Sequence, residues 1–352
     1  MEKILDYLEK AVEDGASDLF VVAGSPVCEK KDKRLVRMDA QMLLPDDTRR
    51  LIGELYEIAK RSMDRFEEHG DDDFSCAVRG LARFRINTYR QRGSMAAVVR
   101  VVAFDIPDWQ SLRIPAQVMD LANLTNGMVL VTGTAGSGKS TTQACIINRI
   151  NQFREAHIIT LEDPIEYLHR NQSSIVSQRE VAIDTQDYLS ALRACLRQAP
   201  DVMLVGEMRD HDTIRTAMTA AETGHLLIAT LHTKGTVNTI DRIVDSFPSG
   251  QQSQVRVQLS MVLRAVVCQQ LLPDVNGGLA PAFEVMHMNS AIRSLIRDSK
   301  THQIDSAIAA GGAEGMVTMD HSILKLAQSG VVSKDTALEY ADNPDQMKRR
   351  LG

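Results

Sequence analysis

The chain is 352 residues long, 44% hydrophobic and 24% charged, with forty Lys plus Arg against forty-six Asp plus Glu for a formal net charge of −6. This composition suits a globular chain with room for two domains, and neither its mild acidity nor its 4% aromatic content supports non-specific nucleic-acid binding or a base-stacking platform. No apolar run nears the roughly 18 residues of a membrane span and no signal-peptide stretch opens the chain, so a cytoplasmic protein is expected.

Ile4, Leu5, Leu8 and Val12 recur at helical spacing and predict an opening helix, stopped by Gly15 and followed by an apolar strand at 19–22. The charge-dense run 29–37 reads as an exposed strand or turn. Pro45-Asp46-Asp47 opens a second helix with Leu51, Ile52, Leu55 and Ile58 on its apolar side. Strands are predicted at 74–78, 82–89 and 95–102, with turns at Gly80 and Arg92-Gly93. Residues 1–104 therefore read as an α+β domain whose later strands are antiparallel. The stretch 105–115, broken by Pro107 and Pro115, is the linker candidate.

Beyond it, apolar runs at 127–132, 156–161, 201–205 and 226–230 alternate with helical segments. That is the pattern of a mostly parallel sheet covered on both faces, so residues 116–352 read as an α/β domain. From Pro281 the periodicity is helical to the end. The cysteines (Cys28, Cys76, Cys145, Cys195, Cys268) are scattered without a C-x-x-C pair, which favours reduced thiols over a disulfide framework or a metal site.

The strongest chemical signal is Gly133-Thr134-Ala135-Gly136-Ser137-Gly138-Lys139-Ser140, a complete G-x-x-x-x-G-K-[ST]. An apolar strand precedes it and a helix beginning at Thr141 follows, which is the context the motif requires. The glycines let backbone N–H groups curl round a polyphosphate, and the helix N-terminus adds partial positive charge. Lys139 is expected on the β- and γ-phosphates of ATP, and the Ser140 hydroxyl on Mg²⁺.

Hydrolysis also needs metal support and a positioned water. Two acidic segments are placed to supply them: Thr160-Leu161-Glu162-Asp163-Pro164-Ile165-Glu166, and the run 201–207 ending in Gly206-Glu207. Parallel strands present ligand-binding residues at their carboxyl ends, so both segments are expected beside the phosphate loop. The second ends in a glutamate where the common Walker-B pattern has aspartate. His225 and His232 flank one short strand at a spacing unsuited to a shared metal, which leaves phosphate sensing and a structural role both open.

These segments occur together, in this order, in the secretion and pilus motor ATPases. The chain also carries Ala82-Arg83-Phe84-Arg85-Ile86-Asn87, Val205-Gly206-Glu207-Met208-Arg209-Asp210, Thr219-Ala220-Ala221-Glu222-Thr223-Gly224-His225 and Ala291-Ile292-Arg293-Ser294-Leu295-Ile296-Arg297. On these strings it resembles the pilus retraction ATPases of that family. The 291–297 string separates it from assembly motors, which usually carry a tetracysteine zinc module absent here.

The resemblance implies a PAS-like N-terminal domain, a RecA-like ATPase domain and a ring-shaped homo-hexamer using ATP and Mg²⁺. It makes Glu166 the general base, Glu207 the Walker-B carboxylate and metal-site partner, and His225 and His232 the histidine-box residues. It brings Arg85 and Arg100 onto the phosphates from the N-terminal domain; without it, Arg83 and Arg85 read as the polar face of an alternating strand. The partners implied are the inner-membrane platform protein of the pilus machine and, indirectly, pilin, at the inner face of the membrane. Phe20, Gln198-Ala199 and the stretch 25–30 depart from the family pattern, away from the proposed chemistry. The rival readings are an accessory or assembly motor, a non-catalytic ring partner and a RecA-like nucleic-acid translocase.

Overall fold

A computed structural model describes residues 3–31, 34–102 and 106–352, in two compact units of residues 1–105 and 106–352. Phe104 and Asp105, at the expected start of the linker, lie outside the described residues.

The first unit holds α1 (Ile4–Glu13), β1 (Asp18–Val22), β2 (Cys28–Lys31), β3 (Arg34–Arg37), α2 (Pro45–Ala59), α3 (Asp64–His69), β4 (Asp71–Val78), β5 (Ala82–Gln91) and β6 (Ser94–Val102). Its strands form a six-stranded antiparallel sheet in the order β3-β2-β1-β6-β5-β4. Alternate residues point to one face, so Leu19, Val21, Phe84, Ile86, Ala97 and Val99 share a core with Tyr7, Leu8, Leu51 and Leu55 of the helices. The expected helix face is shifted: Tyr7 and Ala11 are buried with Ile4 and Leu8, while Leu5 and Val12 are half-buried. The charged run 29–37 contributes to the β2–β3 pairing, and β3 is exposed throughout. Helix α3 has no sequence counterpart above, because a six-residue helix burying Phe66 shows no periodicity.

The second unit holds α4 (Ala116–Met119), β7 (Gly127–Thr132), α5 (Lys139–Phe153), β8 (His157–Glu162), β9 (Ile175–Glu180), α6 (Tyr188–Cys195), β10 (Val202–Val205), α7 (His211–Glu222), β11 (Leu226–Leu231), α8 (Thr236–Asp245), α9 (Ser249–Val262), β12 (Leu263–Pro273), β13 (Leu279–His287), α10 (Ser290–Arg297), α11 (Ile304–Ala310), α12 (Met319–Gln328), α13 (Lys334–Tyr340) and α14 (Pro344–Leu351). The sheet order is β13-β12-β7-β11-β10-β8-β9, parallel throughout except for the edge strand β13. Both faces are covered: Met128 and Leu130 enter one core, Val129 and Val131 the other. A strand buried on both sides reads as a continuous apolar run, which is how the expected strands were legible.

The expectation of helix from 281 onward is corrected by β13, which runs to His287 and is extended by a bridge between Val285 and Val317. Pro281 is tolerated because β13 lies at the sheet edge. Strands β9 and β12 have no counterpart among the expected strands; α9 runs straight into β12 with no Gly or Pro between them. Residues 106–115 are not a free-standing linker: Ile114 is buried, and Ile106, Trp109 and Leu112 pack on the core of the second unit. Among the described residues no helix is long and apolar enough to cross a membrane.

Candidate active site

Strand β7 delivers the phosphate loop to the N-terminus of α5. Gly133 has φ +143°, and a Cβ there would lie 2.3 Å from the Gln269 carbonyl oxygen and 2.6 Å from Ser137 Oγ. Gly138 has φ +87°, and its Cβ would lie 2.8 Å from Gln269 Nε2. Only glycine fits such a backbone against β12. Lys139 is 7% exposed and its Nζ donates to the carbonyls of Gly133 (3.0 Å) and Thr134 (2.8 Å). Burial lowers its pKa, while Glu207 and Glu166 pull it back up.

The carboxylates arrive from the carboxyl ends of β8 and β10. Glu162 closes β8, its Oε1 accepting from Thr160 Oγ1 (2.6 Å) and Gln178 Nε2 (3.3 Å). Burial pushes this carboxyl up to about 7, against those two hydrogen bonds. Glu207 follows β10 on a turn held at both ends. Gly206 N–H donates to Leu161 O at 2.7 Å, Thr230 Oγ1 donates to Gly206 O, and Asp210 caps α7 by accepting from Thr213 N–H at 2.9 Å. A Cβ on Gly206 would lie 2.9 Å from the Tyr188 hydroxyl and 3.1 Å from Leu161 O, so the close strand approach leaves little room for a side chain. Glu207 Oε2 accepts from Arg209 Nε at 2.8 Å, and its Oε1 lies 3.4 Å from His232 Nε2.

A cleft of about 310 Å³ brings together Ala135, Gly136, Lys139 and Ser140 with Glu162, Asp163, Glu166, Glu207 and His232. Thr134 and Gly133 instead line a neighbouring cavity with Gln270 and Tyr340, and Gly138 and Thr141 line a third with Leu112 and Ile114. His225 is not in the cleft. It precedes β11 while His232 follows it, so the seven residue steps across the strand separate them by about 23 Å at ~3.3 Å per residue. His225 Nδ1 lies 3.0 Å from the Ala220 carbonyl and 3.1 Å from Thr223 Oγ1.

In the first unit Arg85 and Arg100 are direct partners across β5 and β6. Arg85 binds Asp73 at 2.7 Å, and Arg100 binds Asp18 at 3.0 Å. Gln178 reaches the site on β9, a strand with one buried residue among six that leaves no apolar signal in the sequence. Arg209 lay within a motif string and carried no assigned role.

The donor set fits the expected ligands. Ser137 Oγ is buried in the loop without a hydrogen-bond partner among the described residues, and the backbone cradle is closed to any Cβ at Gly133. Among the described residues no group of three or more His, Cys, Asp or Glu side chains is arranged to hold a metal alone. Mg²⁺ ordinarily takes only one or two protein oxygens, with phosphates and waters completing its shell, and a hydroxyl and a carboxylate lining one cleft, Ser140 and Glu207, are compatible with that demand.

Residues 1–337 match the type II/IV secretion system protein family. The type IV pilus retraction ATPase PilT of Pseudomonas aeruginosa is 41% identical over 97% of this chain and 99% of its own. The type IV pilus ATPase PilU of the same organism is 36% identical over 99% of this chain and 90% of its own. A crystal structure of the pilus retraction motor PilT with bound ADP superposes with a TM-score of 0.91 at 44% identity, covering 99% of this chain and 100% of that one. The fold matches from end to end, and the chain belongs to the type II/IV secretion system protein family, in its group of pilus retraction ATPases.

Proposed function

We propose that this chain hydrolyses ATP to withdraw pilin subunits at the base of a type IV pilus. The observation that carries the reading is the meeting of a complete phosphate loop with four carboxylates in one cleft. In this reading the loop amides and Lys139 bind the triphosphate, and Ser140 and Glu207 hold Mg²⁺. When bound, that ion neutralises charge developing on the phosphoryl oxygens. Glu166 is exposed at the cleft and takes the proton of the attacking water. Glu162, fastened by Thr160 and Gln178, shapes the segment that carries Glu166. His232 orients Glu207 from 3.4 Å.

A second assignment has one observation in its favour. A carboxyl held near 7 suits a general base, and Glu162 is at about 7. Its two hydrogen bonds leave it less free to reach a water, which favours Glu166.

The proposal extends to the relatives' other attributes. Arg85 and Arg100 stabilise the transferring phosphoryl group, as a guanidinium fork is suited to do. The working form is a homo-hexameric ring on the cytoplasmic side of the inner membrane, acting on a platform protein and through it on pilin. His225, away from the cleft, serves in this reading outside the chemistry of its own subunit. The test is genetic. Deleting the gene should leave cells with accumulated pili and no twitching, restored by the intact gene and not by Lys139→Ala. Normal retraction in the deletion strain would refute the retraction role.

A further inference from the structure

Two polar groups in the cleft are unused by the account above. Gln143 lies one turn beyond Lys139 on α5 and is 3% exposed. His169 lies three residues beyond Glu166 in the segment after β8. Both line the cleft with Lys139, Ser140 and Glu166. Gln143 Nε2 and His169 Nδ1 are buried, and among the described residues neither has a hydrogen-bond partner. A polar atom left unpaired out of water costs free energy, so a partner is called for at each. Burial also pushes His169 down to about 4, so the ring is neutral at physiological pH and offers one accepting nitrogen. An amide donor and an imidazole acceptor in one polar cleft are the setting in which proteins hold a buried water.

The rest of the segment is already tied down. The Tyr167 hydroxyl pairs with Thr141 Oγ1 on α5 at 2.8 Å, and the Tyr167 carbonyl accepts from Gln178 Nε2 at 2.8 Å. The His169 N–H donates to Gln178 Oε1 at 2.8 Å, and the Arg170 carbonyl accepts from Asn151 Nδ2 at 2.7 Å. Glu166 sits immediately before this anchored stretch, so its placement follows that of the stretch.

We propose that Gln143 and His169 share one buried water and act as positioning residues, holding the 163–169 segment, and with it Glu166, against α5 for hydrolysis. The inference rests on Glu166 being the base. It is tested in the full-length protein with Gln143→Leu, His169→Phe, their double variant and His169→Asn, by kcat, KM for ATP and ADP affinity. Each single apolar variant should lose about tenfold in kcat, with KM and ADP affinity within about twofold. The double variant should be no worse than the worse single, because the second change removes the group that the first left unpaired. His169→Asn, with an amide in place of Nδ1, should recover most of kcat.

Unchanged kcat in Gln143→Leu overturns the proposal, as does a double loss equal to the product of the two singles. So does a loss that falls equally on kcat and ADP affinity. Should His169→Phe fail to bind ADP at all, Gln143→Leu and His169→Asn decide by the same measurements. Glu166→Gln is assayed beside them. A fully active Glu166→Gln removes the reading beneath the proposal, whereas a dead Glu166→Gln with a fully active Gln143→Leu removes the proposal alone.

Discussion

Arg85 on β5 and Arg100 on β6 stand directly opposite one another, and each carries its own counter-charge from the strand on its outer side. Asp73 of β4 holds the first at 2.7 Å and Asp18 of β1 the second at 3.0 Å. Like charges facing across an antiparallel pair repel, at a cost of about 0.2–1 kcal/mol. Two flanking carboxylates offset that repulsion, so the pair is tolerated rather than favoured by the fold.

Removing Arg85 therefore relieves repulsion as it breaks an exposed ion pair, whereas removing Arg100 also leaves the buried Asp18 carboxylate without its partner. Arg85→Ala should change stability by less than about 1 kcal/mol, and Arg100→Ala by more, on the order of 1–3 kcal/mol, because it strands the buried Asp18. ATP turnover should nevertheless fall at least about a hundredfold if they touch the transferring phosphoryl group. Thermal melts and steady-state ATPase rates on the same preparations check this. Unchanged turnover returns both residues to the polar face of a strand.

Lys139 is tied to the loop it serves, through the carbonyls of Gly133 and Thr134. Lys139→Ala removes these ties and the charge that, in the proposed function, meets the β- and γ-phosphates. Hydrolysis should drop by about 10²–10³ or more, with weaker nucleotide binding. Calorimetric ADP titration and phosphate release measure the two effects separately.

Gly206→Ala should displace the turn that carries Glu207, because the new methyl meets the Tyr188 hydroxyl at 2.9 Å and Leu161 O at 3.1 Å. A loss of about 1–3 kcal/mol in stability is expected, together with impaired turnover. Adding Tyr188→Phe removes one of the two collisions and should restore part of the stability. If Gly206→Ala matches the wild type in denaturant melts, the close approach is not constraining.

Glu162 makes the fold sensitive to pH. Its carboxyl titrates at about 7 in the folded chain, mainly through burial, against an ordinary 4.5. A group that binds its proton more tightly when folded stabilises less as the pH rises through that interval, and the deficit persists above it. Glu162→Gln removes the buried charge. The variant should therefore gain on the order of 2 kcal/mol relative to wild type at pH 8 compared with pH 5. Urea melts at the two pH values test it, and an equal difference at both would mean that Glu162 is not desolvated.

Much of this architecture was legible because its determinants are local. The phosphate loop needs glycines at fixed offsets, and Gly133 and Gly138 meet the backbone constraints that the motif encodes. Strands β7, β8, β10 and β11 are buried on both faces and read as apolar runs. What was not legible depends on tertiary contact. Strand β9 has one buried residue among six, so its pairing with β8, which delivers Gln178 to Glu162, left no mark in hydropathy. The histidines show the same limit: the sequence places His225 and His232 at the two ends of a strand, and the parallel sheet sends only the second to the cleft.

The proposed chemistry turns on Glu166, which in a cleft built by the phosphate loop activates the attacking water. Single-turnover hydrolysis of γ-labelled ATP by full-length Glu166→Gln, beside Glu162→Gln and with nucleotide affinity measured in parallel, isolates that step. Glu166→Gln should bind ATP about as tightly as wild type and release phosphate at least about a hundredfold more slowly. Wild-type phosphate release from Glu166→Gln, with Glu162→Gln inactive, would move the base to Glu162.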